Sequence, residues 1–199
     1  MHATGIDPLD RRLGGGVPVG SLTALVAPVG SSAELLLEAA AEPSDALVVS
    51  LNRPAPAVAD RYPDEATVVE RDPATLAAAP EETFAALPEG GTLVVTPTLG
   101  LEELAPADFR QVLDAAATAV EDADGAGYLH CPEPATDAAG RTRALARVDG
   151  VWLLDVRMAT LTIENRLYVT RVRGGAALDE PLKLKLTDGV VVDTSRDIA

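Results

Sequence analysis

Short apolar runs rich in β-branched residues alternate with alanine-rich stretches along most of this chain. That alternation is the signature of a mostly parallel β-sheet with helices on its faces. The runs Leu22–Ala27, Ala46–Leu51, Thr67–Glu70, Thr92–Thr96, Gly127–His130 and Val151–Val156 read as strands. They are almost wholly apolar, as strands covered on both faces must be. Between them, Ala107–Asp122 places Phe109, Val112, Leu113, Ala116, Ala117 and Val120 on one helical stripe, with Pro106 suited to the first turn. Glu34–Ala41 and Arg141–Arg147 read as further helices, and 54–88 as short helices around one strand. After Val151 the pattern changes to Leu161–Ile163, Arg166–Arg173, Leu182–Leu186 and Val190–Val192. Glu164-Asn165 and Asp188-Gly189 are the candidate hairpin joints, so an antiparallel extension should follow the parallel core. At 199 residues, with no linker and no internal repeat, one α/β domain over 1–199 is expected.

Composition narrows the function. Asp plus Glu number 31 against 16 basic residues, of which only Lys183 and Lys185 are lysines, and the net charge is −15. Such a body repels phosphate backbones, and aromatics at 3% leave few platforms for stacking bases, so no nucleic-acid partner is expected. The acidic, arginine-over-lysine, alanine-rich balance reads as adaptation to a salty cytoplasm, where screening relieves self-repulsion. No apolar run reaches the ~18 residues of a membrane span, and Met1–Arg12 lacks a signal-peptide layout. The expectation is a cytoplasmic protein without a membrane partner. One cysteine, Cys131, and two histidines offer no metal-ligand set, so no metal site is expected.

The ends of the chain carry a specific pattern. Thr4-Gly5-Ile6-Asp7-Pro8-Leu9-Asp10, then Leu13-Gly14-Gly15-Gly16-Val17-Pro18 and Gly20-Ser21, lead into the first strand. Asp149-Gly150-Val151, Arg171-Val172-Arg173-Gly174 and Asp188-Gly189-Val190 follow near the far end. These residues resemble the ATPase core of the KaiC/RadA branch of the RecA superfamily, here of a haloarchaeal type, along essentially the whole chain. The resemblance implies a RecA-like P-loop fold with flanking helices and a C-terminal antiparallel extension.

The ATPase chemistry of that family is not matched. A phosphate loop needs G-x-x-x-x-G-K-[ST]: glycines for the backbone cradle, lysine for charge, a hydroxyl for Mg²⁺. The aligned stretch runs from Ala27 through Gly30, Ser31, Ser32 and Ala33 to Glu34. Ala27 and Ser32 replace the glycines, Ala33 the lysine and Glu34 the hydroxyl. A carboxylate ~4 Å from a phosphate costs ~4 kcal/mol per charge pair at an effective dielectric of ~20, nearly three decades of affinity. Asn52 and Arg53 follow the second strand where the family has its glutamate pair, and Thr96-Pro97 stand where its Mg²⁺-associated aspartate falls. With lysine, metal ligand and general base all absent, the expected cofactor is none and the expected activity is none. ATP or ADP with Mg²⁺ remains the alternative, in a nucleotide-binding or weakly hydrolysing protein of DNA repair or signalling.

Other residues carry sharper and blander readings. Ser31 and Glu34 have capping-box spacing, which would fill the helix N-terminus with the chain's own carboxylate. Arg171 and Arg173 match the family strand that reaches a neighbouring subunit's nucleotide. They suggest docking onto an active KaiC/RadA-type paralogue or self-association; the blander reading is a strand edge paired with carboxylates such as Glu164. His130-Cys131 cannot share one proton on a strand, because adjacent side chains face opposite ways. His130 should end a core strand and Cys131 should be buried. Asp155 reads as structural, and Thr98–Asp108, with Glu102 and Glu103, has no basic residue to hold DNA. Arg141, Arg143 and Arg147 read as a solvated helix face.

Overall fold

A computed structural model describes residues 1–134, 137–159 and 162–193. The parallel strands are β1 (Ser21–Pro28), β2 (Ala46–Ser50), β3 (Thr67–Glu70), β4 (Thr92–Thr96), β5 (Ala126–Glu133) and β6 (Gly150–Ala159). They continue into antiparallel β7 (Thr162–Val172), β8 (Leu182–Leu186) and β9 (Val190–Val192). All join one sheet in the order β3-β2-β4-β5-β1-β6-β7-β8-β9. The parallel core and antiparallel extension read from the sequence are both present. β1 is flanked by parallel β5 and β6, which explains why its first seven residues are all buried.

The helices are α1 (Asp7–Arg12), α2 (Glu34–Ala41), α3 (Ala55–Ala59), α4 (Pro73–Ala78), α5 (Pro80–Phe84), α6 (Leu99–Glu102), α7 (Pro106–Asp122) and α8 (Ala138–Arg147). Two apolar cores sandwich the sheet. On one face Ile6 and Leu9 from the N-terminal segment and Leu36 and Leu37 of α2 meet Tyr128 and Trp152. On the other, Phe109, Val112, Leu113 and Val120 of α7 meet Phe84, Leu93 and Ala144. The α7 stripe is buried as its periodicity predicts.

Two local expectations are corrected. Glu164-Asn165 is not a hairpin joint: both lie inside β7, where Asn165 pairs with Leu184 and Glu164 with Arg157. β6 and β7 instead extend to Ala159 and Thr162; Leu161, assigned above to a strand, lies outside the described residues. The Asp188-Gly189 joint does connect antiparallel β8 and β9. The capping box is absent as well. The N-cap of α2 is Ala33, no side chain caps it, and the Ser31 hydroxyl is buried without a partner. Ser32 takes a left-handed φ of +55°, which turns the chain into the helix in a way that spacing alone does not encode.

Candidate functional site

The carboxyl ends of parallel strands are where an open α/β sheet presents backbone and side chains to a ligand. Here the ends of β1, β2, β4 and β5 open onto a cavity of about 360 Å³. Its floor is held by the sheet's own bonding. Leu51 N donates to Thr96 O at 2.8 Å, and the Ser50 hydroxyl donates to Arg53 O at 2.8 Å. β5 contributes His130 and Pro132, and α2 contributes Glu34 and Glu38, one turn apart on the same face. Val58 of α3 and the following Tyr62 form an apolar wall, with Arg61 beside them.

Of the residues aligned with a phosphate loop, Gly30, Ser31 and Glu34 line the cavity. Ala27 and Ala33 do not: each is essentially fully buried in the core on the α2 side. Ser32 is exposed and turned away from the lining. Two amides of the loop are already engaged, Val29 N with Glu133 O at 3.0 Å and Ser31 N with Pro28 O at 3.2 Å. Asn52 and Arg53 line the cavity from the β2 end, and Thr96 and Pro97 from the β4 end.

The charge in this cavity is mixed. Glu38 pairs with Arg61 at 2.6 Å. Burial raises the Glu38 carboxyl above its ordinary range, the neighbouring Glu34 adds to the rise, and Arg61 opposes it. The Tyr62 phenol is raised by burial and by Glu38. His130, 5% exposed, has Nδ1 3.0 Å from Thr96 Oγ1. Burial and Arg141 lower its basicity, and Glu34 opposes them, so the imidazole is neutral at pH 7. His130 lies well inside β5 rather than ending it, because the strand continues to Glu133. Cys131 faces the other core, as strand alternation requires. Its thiol is pushed up to about 11 by burial, which leaves no nucleophile at neutral pH.

The sequence matches the DUF7125 family, described as a family of unknown function, over residues 1–199. The chain belongs to this family. Among solved structures it is similar to the KaiC-like protein PH0186 of the hyperthermophilic archaeon Pyrococcus horikoshii OT3. The two share 14% identity with a TM-score of 0.75, over 96% of this chain and 97% of that one. That likeness establishes a RecA/KaiC-like fold for this DUF7125 chain. No curated protein matches the sequence.

The motif residues at the chain ends are used as scaffold. The Thr4 backbone N and hydroxyl donate to Asp10 Oδ1 at 2.9 and 2.7 Å, which ties the first motif to itself. Asp149 exchanges bonds with Leu22, accepting from its N at 3.1 Å and donating to its O at 2.7 Å, and pairs with Arg173 at 3.1 Å. Arg171 donates to the carbonyls of Leu145 and Val148, so its guanidinium closes the end of α8. β7 lies between β6 and β8 and is not an edge strand, and Glu164 pairs with Arg166 at 3.0 Å rather than with Arg171. Asp155 pairs with Arg157 at 2.7 Å. The solvated face expected of α8 is corrected at Arg141, which is buried against Glu102 at 2.8 Å; Arg143 and Arg147 remain partly or fully exposed, paired with Asp137 and Asp114.

The buried imidazole predicts a pH dependence with a definite sign. An unfolded histidine titrates near ~6.5, whereas folded His130 titrates lower. Between those values the unfolded chain binds more protons, so the His130 contribution is lost as pH falls from ~6.5 toward the folded value. Glu38 acts in the opposite sense, its raised carboxyl favouring the folded state as pH falls. Urea titrations from pH 8 to 5 should therefore compare wild type with His130→Gln, which isolates the imidazole. The wild type should lose stability faster on acidification; parallel curves would contradict the assignment.

Proposed function

We propose that this chain is a catalytically inactive KaiC/RadA-like domain, a pseudo-ATPase acting through protein contacts as an accessory or regulatory partner. The observation that carries the reading is the content of the phosphate position. Glu34 lines the cavity where a Mg²⁺-binding hydroxyl would be needed, and Ala33, in place of the lysine, is packed into the core. No general base follows β2, where Asn52 and Arg53 stand. On this reading no nucleotide cofactor or metal is required, residues 1–199 act as one domain, and the protein works in a salty cytoplasm. The partner is an active KaiC/RadA-type paralogue or a second copy. Arg173, its side chain 63% exposed, is better placed to meet such a partner than Arg171, whose donors are taken. No helix among the described residues is long and apolar enough to cross a membrane.

Isothermal titration with Mg-ATP and Mg-ADP in molar KCl tests the proposal. No micromolar binding is expected. Micromolar affinity would favour the second reading, a nucleotide-binding or weakly hydrolysing RecA-family protein of DNA repair or signalling. What favours that reading is the open cavity itself, with Arg53 and Arg61 on its wall.

A further inference from the structure

Among the described residues, polar groups of the cavity lining are left without an internal partner. Arg61 is matched by Glu38, so that pair is neutral as a unit. Among the described residues Glu34 and Arg53 have no ion-pair partner, and both line the cavity, one from α2 and one from the β2 end. The Ser31 hydroxyl, also in the lining, is buried with nothing to bond. His130 is 5% exposed, and with Nδ1 engaged by Thr96, Nε2 is the nitrogen left for an occupant. A buried polar atom without a partner costs free energy, so the Ser31 hydroxyl, with Glu34, Arg53 and His130 Nε2 around the same cavity, points to an occupant with matching groups.

The charges restrict what that occupant can be. A phosphate or another simple anion meets Glu34 directly. A simple cation leaves Arg53 unmatched. A zwitterion satisfies both. Beside the polar Ser50, Asn52 and Thr96, the lining offers an apolar wall of Val58, Tyr62, Pro97, Leu99 and Pro132. A volume of about 360 Å³ sits at the small end of ligand sites, which run from roughly 300 to 1,000 Å³. We propose that this cavity binds a small α-amino acid with an apolar side chain, its ammonium on Glu34 and its carboxylate on Arg53. The ammonium donates to the Glu34 carboxylate and to His130 Nε2, which fixes the tautomer: Nδ1 carries the proton and donates to Thr96 Oγ1. The side chain packs against Val58, Tyr62 and Leu99. The Arg61–Glu38 pair holds α2 against the segment after α3 and thereby sets the width of the site.

This site goes beyond the accessory reading and does not depend on it. The test is calorimetric titration of the full chain with L-leucine and L-phenylalanine, beside 3-methylbutylamine and 4-methylpentanoate, which are leucine without its carboxylate or its amine. At least one amino acid should bind, and each truncated probe should be weaker by about tenfold or more. Glu34→Gln should weaken leucine and the amine by about tenfold and leave the acid unchanged. Arg53→Gln, on the exposed rim, should weaken leucine and the acid and leave the amine unchanged. Three results would overturn the proposal: no heat from either amino acid at millimolar concentration, an acid that binds as tightly as leucine, or folded Glu34→Gln and Arg53→Gln variants that bind as wild type. The Mg-ATP titration is read separately. Leucine silent with ATP silent rejects only the amino-acid site, whereas ATP binding rejects the pseudo-ATPase.

Discussion

Glu102→Ala should destabilise the protein by about 3–5 kcal/mol, the cost of leaving a buried charge without its partner. Glu102 ends α6 and is completely buried. Its Oε1 accepts from Arg141 Nε at 2.8 Å and from the Thr98 hydroxyl at 2.7 Å, while Arg141 Nη2 donates to Pro132 O at 2.8 Å. This one cluster therefore joins α6, α8 and β5 beneath the end of the sheet. Deleting the carboxylate strands the guanidinium, whose side chain is only 7% exposed. Gly140 lets α8 pack closely on α6 here: a Cβ at that position would sit 2.3 Å from Glu102 O. Salt should not rescue the variant, because a pair this deep is poorly screened. The double variant Glu102→Leu/Arg141→Met should recover most of the loss, since an apolar pair of similar size has no charge to desolvate. Urea denaturation in low and molar KCl measures all three proteins. A single-variant loss under about 1 kcal/mol would mean that the ion pair is not a fold-holding element.

That cluster also marks where the sequence stopped being informative. Arg141, Arg143 and Arg147 sit in a helix whose one large apolar side chain is Leu145, too weak a stripe to flag one arginine as buried, so a solvated face is the natural reading. Only the packing of α8 on α6 distinguishes Arg141 from its neighbours. Strands were legible for the opposite reason. Thr67–Glu70, Thr92–Thr96, Leu182–Leu186 and Val190–Val192 agree with the structure at both ends, because β-branched runs bounded by turn residues carry their own limits. Glu164-Asn165 misled because a polar dipeptide between apolar runs suits either a turn or the exposed register of a long strand. In the structure the second holds. Within the candidate site, Gly30, Ser31, Glu34, Asn52, Arg53, Thr96 and Pro97 were reached by alignment to a phosphate-binding core. Glu38, Tyr62 and Arg61 were not. The four-residue spacing of Glu34 and Glu38 on α2 was a readable signal for the first of these. Tyr62 and Arg61 reach the cavity only through the path of the chain after β2.

Gly5→Ala should be far more damaging than Gly14→Ala in the N-terminal motif, at about 3 kcal/mol or more. Two penalties coincide there. Gly5 has φ of +72°, a conformation that disfavours any residue with a Cβ, and the added Cβ would lie 1.9 Å from the Ala39 carbonyl oxygen of α2. Gly14 separates the two effects, because it has a similar φ of +74° with nothing within 4 Å of the position. Gly14→Ala should therefore cost only the left-handed strain, about 1–2 kcal/mol. The difference between them measures how tightly the N-terminal segment is seated on α2. The Thr4–Asp10 bonds fix that segment's shape, and Ile6 and Leu9 anchor it in the core beside Leu36 and Leu37. If the segment yields to relieve the contact, amide exchange in residues 2–17 should accelerate well beyond the rest of the chain. His2 N and Val17 N, which donate to each other's carbonyls at 2.7 and 2.9 Å, are the amides to follow. Equal losses for Gly5→Ala and Gly14→Ala, with unchanged exchange, would show that this glycine was retained for backbone conformation alone. The close seating on α2, which holds the helix bearing Glu34 and Glu38 over the cavity, would then have to come from Ile6 and Leu9.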